Sequence, residues 1–302
     1  MLARGGSRVD ADALLLLARA HGLDAPVVSS LALLDGAAPG EVERWLRALA
    51  RRWAAPIVCG WARGSSATVW LAAPRAGTLE AIAETGRAWS VWLAPGYGSP
   101  RVVVLDGEGQ TASLPIVNGR VELPTTTPLP ARVQLVASGP MGPRPVAERT
   151  VAGRHEGVAA DPARLGPVDE GLESDGTLRD WVRRFRSAAG LPALRPNRLL
   201  DAAAAAHARD VCDRGAVAHL ADGSDPVQRV ARQGLTARSV GEIVAMAEHP
   251  TGIARRIASS PSHRAALAER RFTDVGVGWY RADGRRSCAV VVLAAWPRPH
   301  VR

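Results

Sequence analysis

Three side chains in the last third of the chain have types and positions suited to joint chemistry. His219 lies in GAVAHLADGSDP, just past a helical stretch and before a Gly/Asp turn, so its ring can project from a loop. Glu242 lies in SVGEIVAMA, directly after Gly241, and His263 lies in SSPSHRAAL, in the first turn of a helix opened by Ser260 and Pro261. All three occupy element ends, where sites are often built on a rigid scaffold. A helix start carries partial positive charge, which disfavours imidazolium and keeps an imidazole such as His263 in the neutral, metal-binding form. Two neutral imidazoles and a carboxylate, with water in the fourth position, form a tetrahedral zinc set. A carboxylate beside metal-bound water is also a general acid or base. Spacing alone does not separate this from three independently satisfied surface or cap residues.

The other histidines read differently. His207, in AAAAAHARD, is expected to pack on its helix beside Asp210, while His21, His155 and His300 fall in solvent or linker stretches.

The elements that must hold the three residues follow from periodicity. Leu178, Trp181, Val182 and Phe185 form one apolar stripe from an N-cap expected at Thr177 to a stop at Gly190. A longer helix runs from about Pro196 to Arg214 and stops at Gly215, Asp225-Pro226 opens a short one ending near Gly234, and Ser260-Pro261 opens another. Two strands close the chain, TDVGVGWYR and SCAVVVLAAW, joined through Ala282-Asp283-Gly284. The second is apolar at both parities, as in a strand covered on both faces. Helices are therefore expected on each side of the sheet.

Upstream, residues 10–52 read as helical, with Ala11, Leu14, Leu15 and Ala18 in one register and Glu41, Val42, Trp45, Leu46 and Leu49 in a second after Pro39-Gly40. The strands APIVCGWA and ATVWLAAP follow around Gly64-Ser65-Ser66. From Pro100 to Val151 short β runs alternate with Asp106-Gly107, Asn118-Gly119 and Pro- or Gly-rich turns, the pattern of a small β-sandwich. The stretch 152–176 has no period and reads as a linker. The class is α+β, divided as a helix-plus-hairpin unit (1–95), a sandwich (96–151), the linker (152–176) and a C-terminal domain (177–302). IVCGWARGSSATVWLAAP (57–74) also echoes VGVGWYRADGRRSCAVVVLAAWP (275–297), each with a GW, an Arg soon after, a turn and a strand ending LAA. The first unit thus reads as a shortened relative of the last.

Composition bounds the function classes. At 302 residues the chain suits two or three domains. All 38 basic side chains are Arg, and the surplus is local: from Leu178 onward 21 arginines face 11 acidic residues. Such a field attracts anionic polymers or lipid headgroups, but no stacking aromatics accompany the arginines, which argues against nucleic acid. Cys59, Cys212 and Cys288 form neither a dense disulfide framework nor a CxxC pair, and Cys212 could meet Cys288 only if a helix lies on a strand. The N-terminus shows no export signal, and no stretch reaches the roughly 18 apolar residues of a membrane helix.

Taken in order, RDWVRRFRSAAGLPALRPNRLLDAAAAAHARDVCDRG, AVAHLADGSDPVQRVARQG, GEIVA, SSPSHRAAL and FTDVGVGWY resemble the CAP superfamily (cysteine-rich secretory protein, antigen five, pathogenesis-related protein one), bacterial branch, over about 178–297. The resemblance implies an α-β-α sandwich with a central cleft faced by His219, Glu242 and His263, with the histidines able to hold zinc or another divalent ion. It also implies an extracellular or periplasmic location. Two neighbours depart from the family pattern: Ile243 stands where Asn is usual after the glutamate, and Ile257 where Trp is usual before the second histidine. The second acid of many eukaryotic members has no counterpart. The expected function is binding of a small ligand, a lipid or a cell-envelope polymer in the cleft. The alternatives are a zinc-assisted hydrolase with Glu242 as base, and a polyanion-binding module with a vestigial site.

Overall fold

A computed structural model describes residues 14, 25–34, 40–65, 67–82, 86–152, 172, 174–221, 223–282 and 286–297. Most of the expected linker and the helical stretch around Ala11 to Ala18 lie outside these residues, Leu14 excepted.

The first unit pairs β1 (Ser29–Leu34) with the hairpin β2 (Ile57–Arg63) and β3 (Ala67–Pro74) in the order β1-β3-β2. Helix α1 (Glu41–Trp53) packs on one face, where Leu49 and Trp53 bury against Ala72. The helical reading of 10–52 is corrected at SSLALL. Every residue from Ser29 to Leu34 pairs with β3, and that pairing outweighs the local helix preference of Leu and Ala.

The sandwich sets β4 (Gly77–Ala81), β5 (Ala88–Leu93) and β8 (Arg120–Glu122) against β10 (Gly142–Val151), β9 (Ala131–Gly139), β6 (Gly98–Leu105) and β7 (Thr111–Leu114). Leu79, Trp89 and Val121 meet Val102, Val104, Val133 and Leu135 in one core. A boundary at residue 95 therefore divides strands that share a core, because β4 and β5 belong with the sandwich.

The C-terminal domain has three layers. Its sheet runs β11-β13-β14-β12, from β11 (Arg195–Pro196), β13 (Asp274–Ala282), β14 (Arg286–Ala295) and β12 (Ser239–Ala247). On one face lie α2 (Asp175–Ala188), α5 (Pro250–Ala258) and α6 (Pro261–Ala268), whose Trp181, Ile253, Ile257 and Leu267 pack on Val277, Val291 and Leu293. On the other lie α3 (Arg198–Arg214) and α4 (Pro226–Arg232), with Leu200, Ala204, Val211 and Val230 against Val244, Val290 and Val292. The α-β-α sandwich expected from sequence is present. The cap of α2 is Ser174, in a reciprocal capping box with Thr177, which places Thr177 inside the helix.

Two close contacts fix this arrangement. A Cβ on Gly276 would stand 2.2 Å from the backbone of Leu200, and one on Gly278 2.3 Å from that of Ala204, so α3 rests directly on β13. Cys212 of α3 is bonded to Cys288 of β14, with Cα atoms 5.7 Å apart, so the helix does lie on the strand as that pairing requires. The first unit repeats part of this plan. The units β1-α1-β2-β3 and β12-α5-α6-β13-β14 share the strand order first, last, middle, with antiparallel neighbours throughout.

Candidate functional site

Glu242 is presented by a regular strand: it pairs with Val292 across β12 and β14, on the sheet face that α3 covers. The buried stripe of α3, Leu200, Ala203, Ala204, His207, Ala208 and Val211, keeps i, i+3, i+4 spacing and carries His207 down to that face. The side chains of Glu242 and His207 are each 1% exposed.

The Glu242 carboxylate is the hub. His219 Nδ1 lies 2.8 Å from its Oε1, and Arg229 Nη2 donates to Oε1 at 2.8 Å and to Oε2 at 2.6 Å. His207 Nε2 approaches Oε1 at 3.6 Å and lies 2.9 Å from the Ala218 carbonyl. Acceptors set the tautomers. A carbonyl facing His207 Nε2 requires the proton there, and a carboxylate facing His219 Nδ1 requires the proton there, leaving the lone pair of neutral His219 on Nε2. His207 Nδ1 is buried without a hydrogen bond.

Arg229 also fixes the loop that carries His219. It donates to the His219 carbonyl at 3.0 Å and to the Ser224 carbonyl at 2.7 Å. Its helix is started by Pro226 and by a capping box between Asp225 and Gln228. The His219 side chain, 17% exposed, is the most open of the cluster beside Arg229 at 10%.

His263 sits in the first turn of α6, where Ser260 caps the helix by accepting from the His263 amide at 3.5 Å. Its Nδ1 is buried without a hydrogen bond. Burial, then the nearby charge of His219, push its pKa down to about 4 against a backbone bond to Arg256 that favours the proton. Burial likewise lowers His207, opposed by Glu242. Burial alone would raise Glu242, but the hydrogen bond and charge of His219, then His207 and Arg229, hold its carboxyl below the usual range.

The structure therefore gathers His219 and Glu242 in direct contact, with His263 near His219. Two further residues, His207 and Arg229, meet Glu242. For His207, its place on the core stripe of α3 was the available signal. Arg229 carries no signal, since an arginine in a seven-residue helix has no marking pattern. No group of three or more His, Cys, Asp or Glu side chains among the described residues is arranged to hold a metal ion. A cavity of about 250 Å³ lies elsewhere, in the sandwich, lined by Asp106, Gln110, Thr111, Leu123 and Thr126. Its one acid, Asp106, already accepts from the Glu108 and Gln110 amides.

Residues 180–294 match the family model described as CAP, the cysteine-rich secretory protein family. No curated protein matches the sequence. Solved structures similar to this chain at low identity include the following three. An outer surface protein from Borrelia burgdorferi is 20% identical, with 42% of this chain and 96% of that one covered and a TM-score of 0.39. An extracellular protein containing a SCP domain from Bacillus anthracis is 17% identical, with 89% and 77% covered and a TM-score of 0.37. A cysteine-rich secretory protein from Staphylococcus aureus is 14% identical, with 63% and 64% covered and a TM-score of 0.33.

Proposed function

We propose that this CAP-domain protein binds a ligand in its C-terminal cleft without chemical turnover, and that His219 is the recognition group. The observation that carries this reading is the full engagement of Glu242. A general base needs an oxygen free to receive a proton and a pKa near the working pH. Both Glu242 oxygens face Arg229, one also faces His219, and the carboxyl is held below its usual range. Such a group is a poor base and a good orienting group. It fixes the tautomer and plane of His219, as outer carboxylates do for ligating histidines.

The donor set bears on the metal. His219 Nε2 and the neutral His263 supply two imidazoles, and Glu242 is neutralised by Arg229, so a third protein ligand is missing. The residues fit a two-imidazole site completed by ligand or water, and do not fit a resident zinc centre with three protein ligands. A divalent ion held by His219 and His263 would supply Lewis-acid attraction for an oxygen of the ligand. Glu242 and Arg229 would keep His219 in place. The arginine surplus of the domain favours anionic groups, whether on a small molecule, a lipid headgroup or an envelope polymer. The Cys212–Cys288 bond supports an oxidising location, outside the cytoplasm. No helix among the described residues is long and apolar enough to cross a membrane.

Calorimetric titration with zinc chloride tests the metal part. The wild type is expected to bind and both His219→Ala and His263→Ala to lose binding; binding that survives either substitution removes the shared site. Hydrolysis of a peptide library that disappears in Glu242→Gln would overturn the non-enzymatic reading.

A further inference from the structure

The β-sandwich touches both histidine-bearing segments at once. At one end, the Pro140-Met141 turn between β9 and β10 lies on the His219 loop, where the Met141 carbonyl accepts from the His219 amide at 3.0 Å and from the Leu220 amide at 3.2 Å. Gly142 follows with φ +86°, and a Cβ there would stand 2.9 Å from the His219 Cβ. The contact thus needs glycine both for its backbone angle and for its closeness. With Arg229 on the His219 carbonyl, the backbone of His219 is held from both sides.

At the other end, Gln134 of β9 faces the start of α6. Its Nε2 donates to Glu148 at 2.9 Å, which fixes the amide so that Oε1 faces the helix. Oε1 then accepts from the Ser262 amide at 3.1 Å and from the Ser260 hydroxyl at 3.5 Å, the same hydroxyl that caps His263. Beside it Arg132 donates to the Ser259 carbonyl at 2.6 Å, and Arg264 of α6 donates to the Gly109 carbonyl in the β6–β7 turn at 2.8 Å.

We propose that the sandwich is a hinged wall of the cleft: docked, it sets the positions of the His219 loop and of the His263 helix and holds the site shut, and it opens the site by lifting as one body. Both ends of the contact belong to one β9–β10 ladder, so one end cannot lift far while the other stays bound. The contacts are hydrogen bonds to main-chain groups and polar side chains, the chemistry of interfaces that come apart, whereas the two cores on either side are apolar. A ligand that requires the open state binds more weakly by the fraction of time the wall is down, and by linkage its binding lifts the wall. This inference does not rest on a metal, and its test uses none.

The experiment is amide hydrogen exchange on the full chain, wild type beside Gly142→Val and Gln134→Leu. Each substitution disturbs one end directly and reports at the other. Both are expected to speed exchange at His219, Leu220 and Ser262 by tenfold or more, while Val290 and Val291 in β14 keep wild-type rates. If Gly142→Val speeds only His219 and Leu220 and Gln134→Leu only Ser262, or if neither speeds any, the one-body wall is overturned. Should a variant also loosen β14, the wild type in low urea decides. One shared opening free energy for the three amides, below that of β14, supports the wall, and three separate values overturn it.

Discussion

At the scale of single residues, His263 and His207 make acid costly. The unfolded His263 ring takes a proton below about pH 6.5, but the folded ring does so only near 4. Within that window the unfolded state binds more protons, so stability is full above about 6.5 and is lost as the pH falls toward 4. At about 1.4 kcal/mol per unit, His263 accounts for at most about 3 kcal/mol, and His207 shifts in the same direction. Urea unfolding at pH 7.5 and pH 5 is expected to show a clear loss at pH 5, reduced in His263→Gln; an unchanged slope in that variant would refute the assignment. Glu242 adds its own loss only at lower pH, because its carboxyl lies below the ordinary range. The contact of His219 with Glu242 could be anticipated because each lies in a recognisable local stretch. His207 could not be assigned so simply, since a histidine on an alanine-rich helix reads alike whether its partner is Asp210 or a carboxylate from a distant strand.

At the scale of elements, the placement of His207 beside Glu242 depends on how closely α3 approaches β13. The alternate glycines Gly276 and Gly278 lie on one strand face, and any Cβ there meets main chain, which cannot rotate away. Gly278→Ala is expected to cost about 3 kcal/mol or more in denaturant unfolding, above the usual range for overpacking, because the obstacle is backbone. A loss below about 1 kcal/mol would show that α3 can shift on the sheet. The strand TDVGVGWYR and the caps at Asp225 and Ser260 were legible because turn and cap chemistry is local. Strand β1 was not, because SSLALL has no alternation of its own and takes its conformation from β3.

At the scale of the whole molecule, the α+β class was visible in the sequence, but not that β4 and β5 share the sandwich core or how the sandwich meets the C-terminal domain. Much of that contact is accepted by the Met141, Ser259 and Gly109 carbonyls, and a backbone oxygen leaves no mark in a sequence. The Cys212–Cys288 bond was open on spacing alone, since it depends on the three-dimensional placement of α3 on β14. Reduction is expected to lower stability by about 2–4 kcal/mol, read as a shift of the urea midpoint that Cys288→Ser reproduces. A midpoint insensitive to reductant would show that α3 is held by packing alone. The same bond closes a ring between cysteines 76 positions apart, and His219, Arg229, Glu242 and His263 all lie within it. One cut by a protease anywhere along that stretch opens the ring without making two pieces, so a nicked molecule in an oxidising medium keeps all four residues on one covalent body and loses that continuity only when the sulfurs are reduced.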